Sequence, residues 1–73
     1  MREVMNMNMY YVVTKDYYEG NVCMVTEDLV KAVQKLRSLE EPVAIECWRE
    51  NEYMGAYYLE NDKMMFDKLF GRV

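Results

Sequence analysis

Histidine is absent from this chain, which removes the commonest general base and metal ligand. Glycine occurs three times, at widely separated positions, so there is no glycine-rich loop to cradle a phosphate. The single serine, Ser38, has no neighbouring base to activate it. Two cysteines, Cys23 and Cys47, lie far apart without a close Cys or His companion, so no metal-ligand spacing exists. Two are also fewer than the four or more typical of a small disulfide-stapled secreted domain. We read them as buried thiols acting as small hydrophobes. A disulfide between them would require neighbouring strands, and a reducing cytosol would oppose it. No apolar run approaches the ~20 residues of a membrane-spanning helix. The opening Met1-Arg2-Glu3-Val4-Met5-Asn6 lacks the apolar stretch of a secretory signal. A cytoplasmic protein is expected, with no membrane association. Carboxylates are plentiful, at 13 Asp plus Glu, and a paired acid/base site is the one catalytic arrangement left open. A chain this short has little interior in which to desolvate one. We expect no enzyme, no cofactor and no metal.

What is present is apolar and aromatic. Residues 1–73 are read as one domain, with residues 1–6 free to fray. The apolar fraction is 52%, and 14% of the residues are aromatic, which argues against disorder. A chain of this size buries only about 60% of its unfolded surface. Dimerisation or burial against a partner would therefore improve its balance.

The segment Thr26–Leu39 has the one clear helical period. Leu29, Ala32, Val33 and Leu36 recur at i, i+3, i+4, i+7, and Lys31, Gln34, Lys35 and Arg37 take the other faces. Thr26 is read as the N-cap, with Glu27 and Asp28 at the end that favours negative charge. Lys35 and Arg37 complement the other end, and Pro42 forbids continuation.

Strands flank this helix. Met5–Thr14 alternates and then becomes β-branched and aromatic, with Tyr11 and Val13 on one face and Tyr10, Val12 and Thr14 on the other. Gly20-Asn21 fits a two-residue hairpin, which would pair Tyr18 with Cys23 and Tyr17 with Met24. A longer loop over Asp16–Asn21 would instead place both tyrosines at an exposed tip. Val22–Val25 is the second strand. After the Glu40-Glu41-Pro42 connector, Val43–Trp48 and Tyr53–Leu59 form a hairpin across the polar turn Arg49–Glu52. Trp48 comes opposite Tyr53. An unbroken register then sets Glu46 against Gly55 and Ala44 against Tyr57. On the other side it sets Cys47 against Met54, Ile45 against Ala56 and Val43 against Tyr58. The second set is more apolar and should face the helix, leaving Glu46, Trp48, Tyr53 and Tyr57 outside. Asn61-Asp62 closes the hairpin and can cap a short C-terminal helix over Lys63–Phe70, stopped by Gly71. The same short run also fits a fifth strand. The expected fold is α+β, ββαββα, an antiparallel sheet with the central helix packed on one face.

Function is sought in charge and aromatic placement. The net charge of −4 opposes nucleic-acid binding, although Lys31, Lys35 and Arg37 lie on the helix. We read those three as a solvated face. Between Glu40 and Asp62 stand seven acids, Glu40, Glu41, Glu46, Glu50, Glu52, Glu60 and Asp62, against Arg49 alone, a local charge of −6. Such charge keeps small sheets from aggregating edge to edge, and it also selects a basic partner. Trp48, Tyr53 and Tyr57 beside it are the residue types of binding hot spots, and a cross-strand Trp–Tyr pair also stabilises a hairpin alone. We expect a partner-binding surface of Glu46, Trp48, Glu50, Glu52, Tyr53 and Tyr57, with Tyr17 and Tyr18 as a secondary one. In build, the chain resembles small acidic Tyr- and Met-rich orphan proteins of phages and mobile elements, which act by binding and blocking a host protein. Anti-CRISPR and other anti-defence proteins among these present carboxylates to surfaces made for nucleic-acid phosphates. The resemblance implies an inhibitor or regulator of a larger basic protein. A homodimer joined through sheet edges or Met-rich faces is the alternative, and a small nucleic-acid binder the third.

Overall fold

The computed structural model describes residues 9–16 and 19–71. Five strands and one helix follow in the order β1 (Met9–Lys15), β2 (Asn21–Thr26), α1 (Leu29–Ser38), β3 (Pro42–Arg49), β4 (Glu52–Glu60) and β5 (Lys63–Asp67). The strands form one antiparallel sheet in the spatial order β2-β1-β3-β4-β5. The helix leaves edge strand β2, crosses β1 and returns as β3, packing on these three strands. Its backbone stays clear of β4 and β5, which meet the core only through side chains. Val13 and Ile45 on adjacent strands meet Ala32 and Leu36, one helical turn apart, and all four are fully buried. Tyr11, Met24, Val33, Leu39, Tyr57, Leu59 and Met64 close around them.

The fifth element is a strand, not the expected C-terminal helix. Asn61 and Asp62 both take positive φ (53° and 66°), as a two-residue type I′ hairpin requires and as these two side chains tolerate. Glu60 therefore pairs with Lys63, and the chain returns along β4. Leu69 and Phe70, expected to continue a helix, lie in turns beyond the strand. The fold is thus ββαβββ.

Two helix expectations also shift. The N-cap is Asp28, not Thr26: Asp28 Oδ1 accepts the N–H groups of Val30 at 2.9 Å and Lys31 at 3.4 Å. Thr26 remains in β2 and its hydroxyl accepts the Asp28 N–H at 3.0 Å, so it steadies the cap. Lys35 and Arg37 do occupy the last turn.

Lys15 pairs with Asn21, so the two-residue Gly20-Asn21 turn is not used and a longer loop joins β1 to β2. Asp16, at φ 59°, accepts the N–H groups of Glu19 and Gly20 through its carbonyl at 2.8 Å each. The Asp16 carboxylate accepts Asn21 Nδ2–H at 2.9 Å. Tyr17 and Tyr18 lie outside the described residues, as do Met5–Asn8 and the fraying expected over residues 1–6.

The β3–β4 hairpin holds the feature that decides the site. Trp48 does face Tyr53, but the next pair is Cys47 with Gly55, leaving Met54 as an extra residue. Gly55 adopts φ 127°, and a Cβ there would meet Phe66 Cζ at 2.5 Å. Only glycine suits both the backbone and the space. Because side chains alternate with a period of two, one inserted residue exchanges the faces of everything after it. Glu46 therefore pairs with Ala56 and Ile45 with Tyr57, in place of Glu46 with Gly55 and Ile45 with Ala56.

Candidate functional site

The face of the sheet away from the helix gathers an aromatic row. Trp48 in β3 donates its indole N–H to Glu46 Oε1 at 3.1 Å, two residues back on the same face. Its ring meets Tyr53 edge-on, with centroids 5.5 Å apart and planes at 70°, a favourable aromatic geometry. The Tyr53 hydroxyl donates to the Phe70 carbonyl at 2.7 Å. Phe70 in turn stacks on Tyr58, with centroids at 5.0 Å and planes at 19°. On the far side, β1 brings Tyr10 opposite Trp48, and its hydroxyl donates to the Glu50 carbonyl at 3.0 Å. Three strands and the C-terminal turn thus fix one row of rings beside a carboxylate. The floor beneath is small: Ala44 and Ala56 are fully buried, and the nearly buried Thr14 donates its hydroxyl to the Ala44 carbonyl at 3.2 Å.

Of the residues expected at this surface, Glu46, Trp48 and Tyr53 come together. Tyr57 does not. The bulge at Met54 turns it to the helix side, where it packs on the core and against Phe66 at 4.9 Å between centroids. Glu50 forms the exposed β3–β4 turn at φ 58°. The neighbouring pair Arg49–Glu52 alternates to the side opposite Trp48 and Tyr53. Tyr17 and Tyr18 fall outside the described residues. The members that sequence reasoning left out are Tyr10, Tyr58 and Phe70. Tyr10 was legible from alternation in β1, whereas Tyr58 and Phe70 depended on the bulge and on the fifth strand.

The acids are spread by the antiparallel topology. Glu40, Glu41, Glu60 and Asp62 come to one end of the sheet, Glu50 and Glu52 to the other, with Glu46 between. At the first end Asp62 accepts Arg37 Nη1–H at 3.0 Å, joining the helix to the β4–β5 turn. This pair is largely exposed and adds little stability, but it neutralises part of the basic helix face. The same end holds a shallow hollow of about 350 Å³ between Lys15, Asp16, Ser38, Leu39, Glu40 and Glu41. A second, of about 270 Å³, lies beside the Tyr58–Phe70 stack against Pro42 and Val43.

The helix-side face carries the shifted acidities. Burial pushes the Cys47 thiol up to about 11. It also raises Tyr11, to which Cys47 and Tyr57 on the same face contribute. Cys23 and Cys47 are free thiols on β2 and β3, which β1 separates, so the neighbouring strands a disulfide would need are not there. Among the described residues, no three His, Cys, Asp or Glu side chains converge as a metal site. Among the same residues, no helix is long and apolar enough to cross a membrane. No family model, curated protein or solved structure matches the chain.

Proposed function

We propose that this chain is a protein-interaction module that binds a basic surface of a larger protein and acts as its inhibitor or regulator. The observation that carries this reading is the Glu46–Trp48–Tyr53 cluster on the helix-free face. Its rings are held by hydrogen bonds and by edge-on packing, so little side-chain freedom remains to be lost on binding. Aromatic anchors beside a carboxylate suit a basic partner of the nucleic-acid-handling kind, with the acids at both ends of the sheet steering its approach. The three strands under the cluster are the ones that the Ala44, Ala56 and Thr14 floor locks together, which gives the surface a rigid base. No catalytic step and no cofactor belong to this reading.

Affinity capture from host lysate tests it, comparing the wild-type chain with Trp48→Ala and Glu46→Gln. Glu46→Gln keeps the side-chain shape and an oxygen for the indole N–H while removing the charge. A partner bound through this face is expected to be lost with Trp48→Ala. With Glu46→Gln it should weaken, with a flatter salt dependence. Equal retention by all three proteins, each folded by circular dichroism, would remove this face as the contact surface.

A further inference from the structure

The two edges of the sheet differ in kind. At β2 the register with β1 breaks, leaving Cys23 as an extra residue between the Val13–Met24 and Thr14–Val22 pairs. A bulge of this sort twists an edge away from pairing. At the opposite edge, β5 runs against β4 without interruption from Glu60–Lys63 to Ala56–Asp67. Its sequence, Lys63-Met64-Met65-Phe66-Asp67, places charge only at its two ends. Met65 and Phe66 between them are 40% and 47% exposed. The chain beyond β5 folds back toward Tyr53 and Tyr58 on β4, and among the described residues no strand pairs with the outer edge of β5. An edge whose central side chains are apolar and whose outward N–H and C=O groups are unpaired is a template for another strand.

The hairpin turn determines which backbone groups point outward. In a type I′ turn the closing pair, here Glu60 and Lys63, is hydrogen-bonded. Antiparallel alternation makes Tyr58–Met65 and Ala56–Asp67 the next hydrogen-bonded pairs. The N–H and C=O groups of Met64 and Phe66 therefore face the free edge.

We propose that β5 pairs with β5 of a second copy of this chain, antiparallel about a two-fold axis through Met65, so that one sheet runs through both copies. In this register Met64 and Phe66 of the second copy exchange both backbone hydrogen bonds, and the symmetry repeats the exchange. Met65 meets Met65 at the closer, non-hydrogen-bonded position. Lys63 stands opposite Asp67 of the second copy, and Asp67 opposite its Lys63. Asp67 Oδ1 already accepts the Leu69 N–H at 2.9 Å, and the second carboxylate oxygen remains for the lysine. Charge complementarity selects a second copy as the occupant. The strand matches itself in this arrangement, whereas a parallel pairing would oppose Lys63 to Lys63 and Asp67 to Asp67. A slip of two residues would lose both charge pairs, and a slip of one would turn the apolar set to the wrong face. The axis stands across the sheet, so both helices lie on the same side. Phe66, beyond the cover of its own helix, then gains Met64 of the second copy as a neighbour. The interface is isologous and closes at two copies.

Sedimentation equilibrium of the full chain, over micromolar to near-millimolar concentration, tests this. The wild type is expected at the mass of two 8.8 kDa chains. Met65→Lys places two ammonium groups together on the axis and should raise the dissociation constant on the order of tenfold or more. Met65 is exposed, so the monomer keeps its fold. Lys63→Asp alone and Asp67→Lys alone should each be monomeric, because each opposes like charges twice. Mixed together they should recover the dimer mass, since two carboxylates on one chain then face two ammonium groups on the other. Trp48→Ala, on the other surface, should leave the mass unchanged, which separates this result from the partner-binding reading. A wild type monomeric at every concentration would overturn the proposal. So would a dimer indifferent to Met65→Lys, or single charge variants that mixing does not restore.

Discussion

Cys47 shows how one side chain couples burial to stability. It lies on β3 beneath the helix layer, fully buried, with its thiol directed at the Ile45 carbonyl at 3.8 Å. The unfolded chain ionises this thiol near 9.0, the folded chain at about 11. The unfolded state therefore releases its proton first as pH rises. Stability from this group is intact below about 9, falls between the two values and levels off above about 11. Tyr11, raised by burial from its ordinary 10.0, adds a loss of the same sign at higher pH. We expect the urea midpoint to hold from neutral pH to about 9 and then to drop, with a smaller drop in Cys47→Ala. At neutral pH, native alkylation read by mass spectrometry should modify the half-buried Cys23 while sparing Cys47. A midpoint indifferent to alkaline pH, or equal labelling of both thiols, would contradict this placement. The count and spacing of the cysteines favour free thiols without deciding it, because their separation by β1 is not legible there. That separation depends on which strand lies between them, and no local pattern encodes that.

At the scale of elements, local signals agree with one another along β1, α1 and β3, and compete elsewhere. The helix period survives because Ala32 and Leu36 meet Val13 and Ile45. Its start was harder to read, because Thr26 and Asp28 are both good caps. The ladder with β1 extends to the Tyr11–Thr26 pair, which keeps Thr26 in the strand and passes the cap to Asp28. Replacing Asp28 by Ala should therefore cost about 0.5–2 kcal/mol, and Thr26→Ala less, in chemical denaturation monitored by helical circular dichroism. The reverse ranking would restore Thr26 as the cap. In the second hairpin, the Trp48–Tyr53 pair is legible from the turn. The faces beyond it are not, because one extra residue at Met54 inverts them. Gly55 was the available signal, since a glycine inside a strand marks a bulge or a close approach, and here it marks both. That inversion is why Tyr57 leaves the candidate surface and Tyr58 joins it. In β5, Lys63–Phe70 fits either period over so short a run. The Asn61-Asp62 turn settles it by directing the chain back along β4.

For the molecule as a whole, the helix layer and the sheet differ in extent. One ten-residue helix covers β2, β1 and β3 and stops there, so β4 and β5 extend the sheet beyond the main core. On the helix side, Tyr57, Leu59 and Met64 reach back to that core, and the exposed Arg37–Asp62 pair is the polar link across the gap. Phe66 is left half exposed and Leu69 is 68% exposed. Fewer buried contacts mean a smaller free energy for local opening. Native-state hydrogen exchange should therefore divide the sheet. Backbone N–H groups in β1 and β3 around Val13 and Ile45 should open only with global unfolding. Those of Lys63, Met65 and Asp67, directed at β4, should exchange through a lower-energy opening of β5. If β5 also pairs with a second copy, its opening requires dissociation, and protection in β5 should rise with protein concentration while that at Val13 changes less. The Met64 and Phe66 N–H groups point at the free edge, so they should be protected only when the dimer forms. Uniform protection across all five strands at every concentration would mean that β5 belongs to the same cooperative unit as the covered strands. In that case the uneven helix cover would have no energetic consequence.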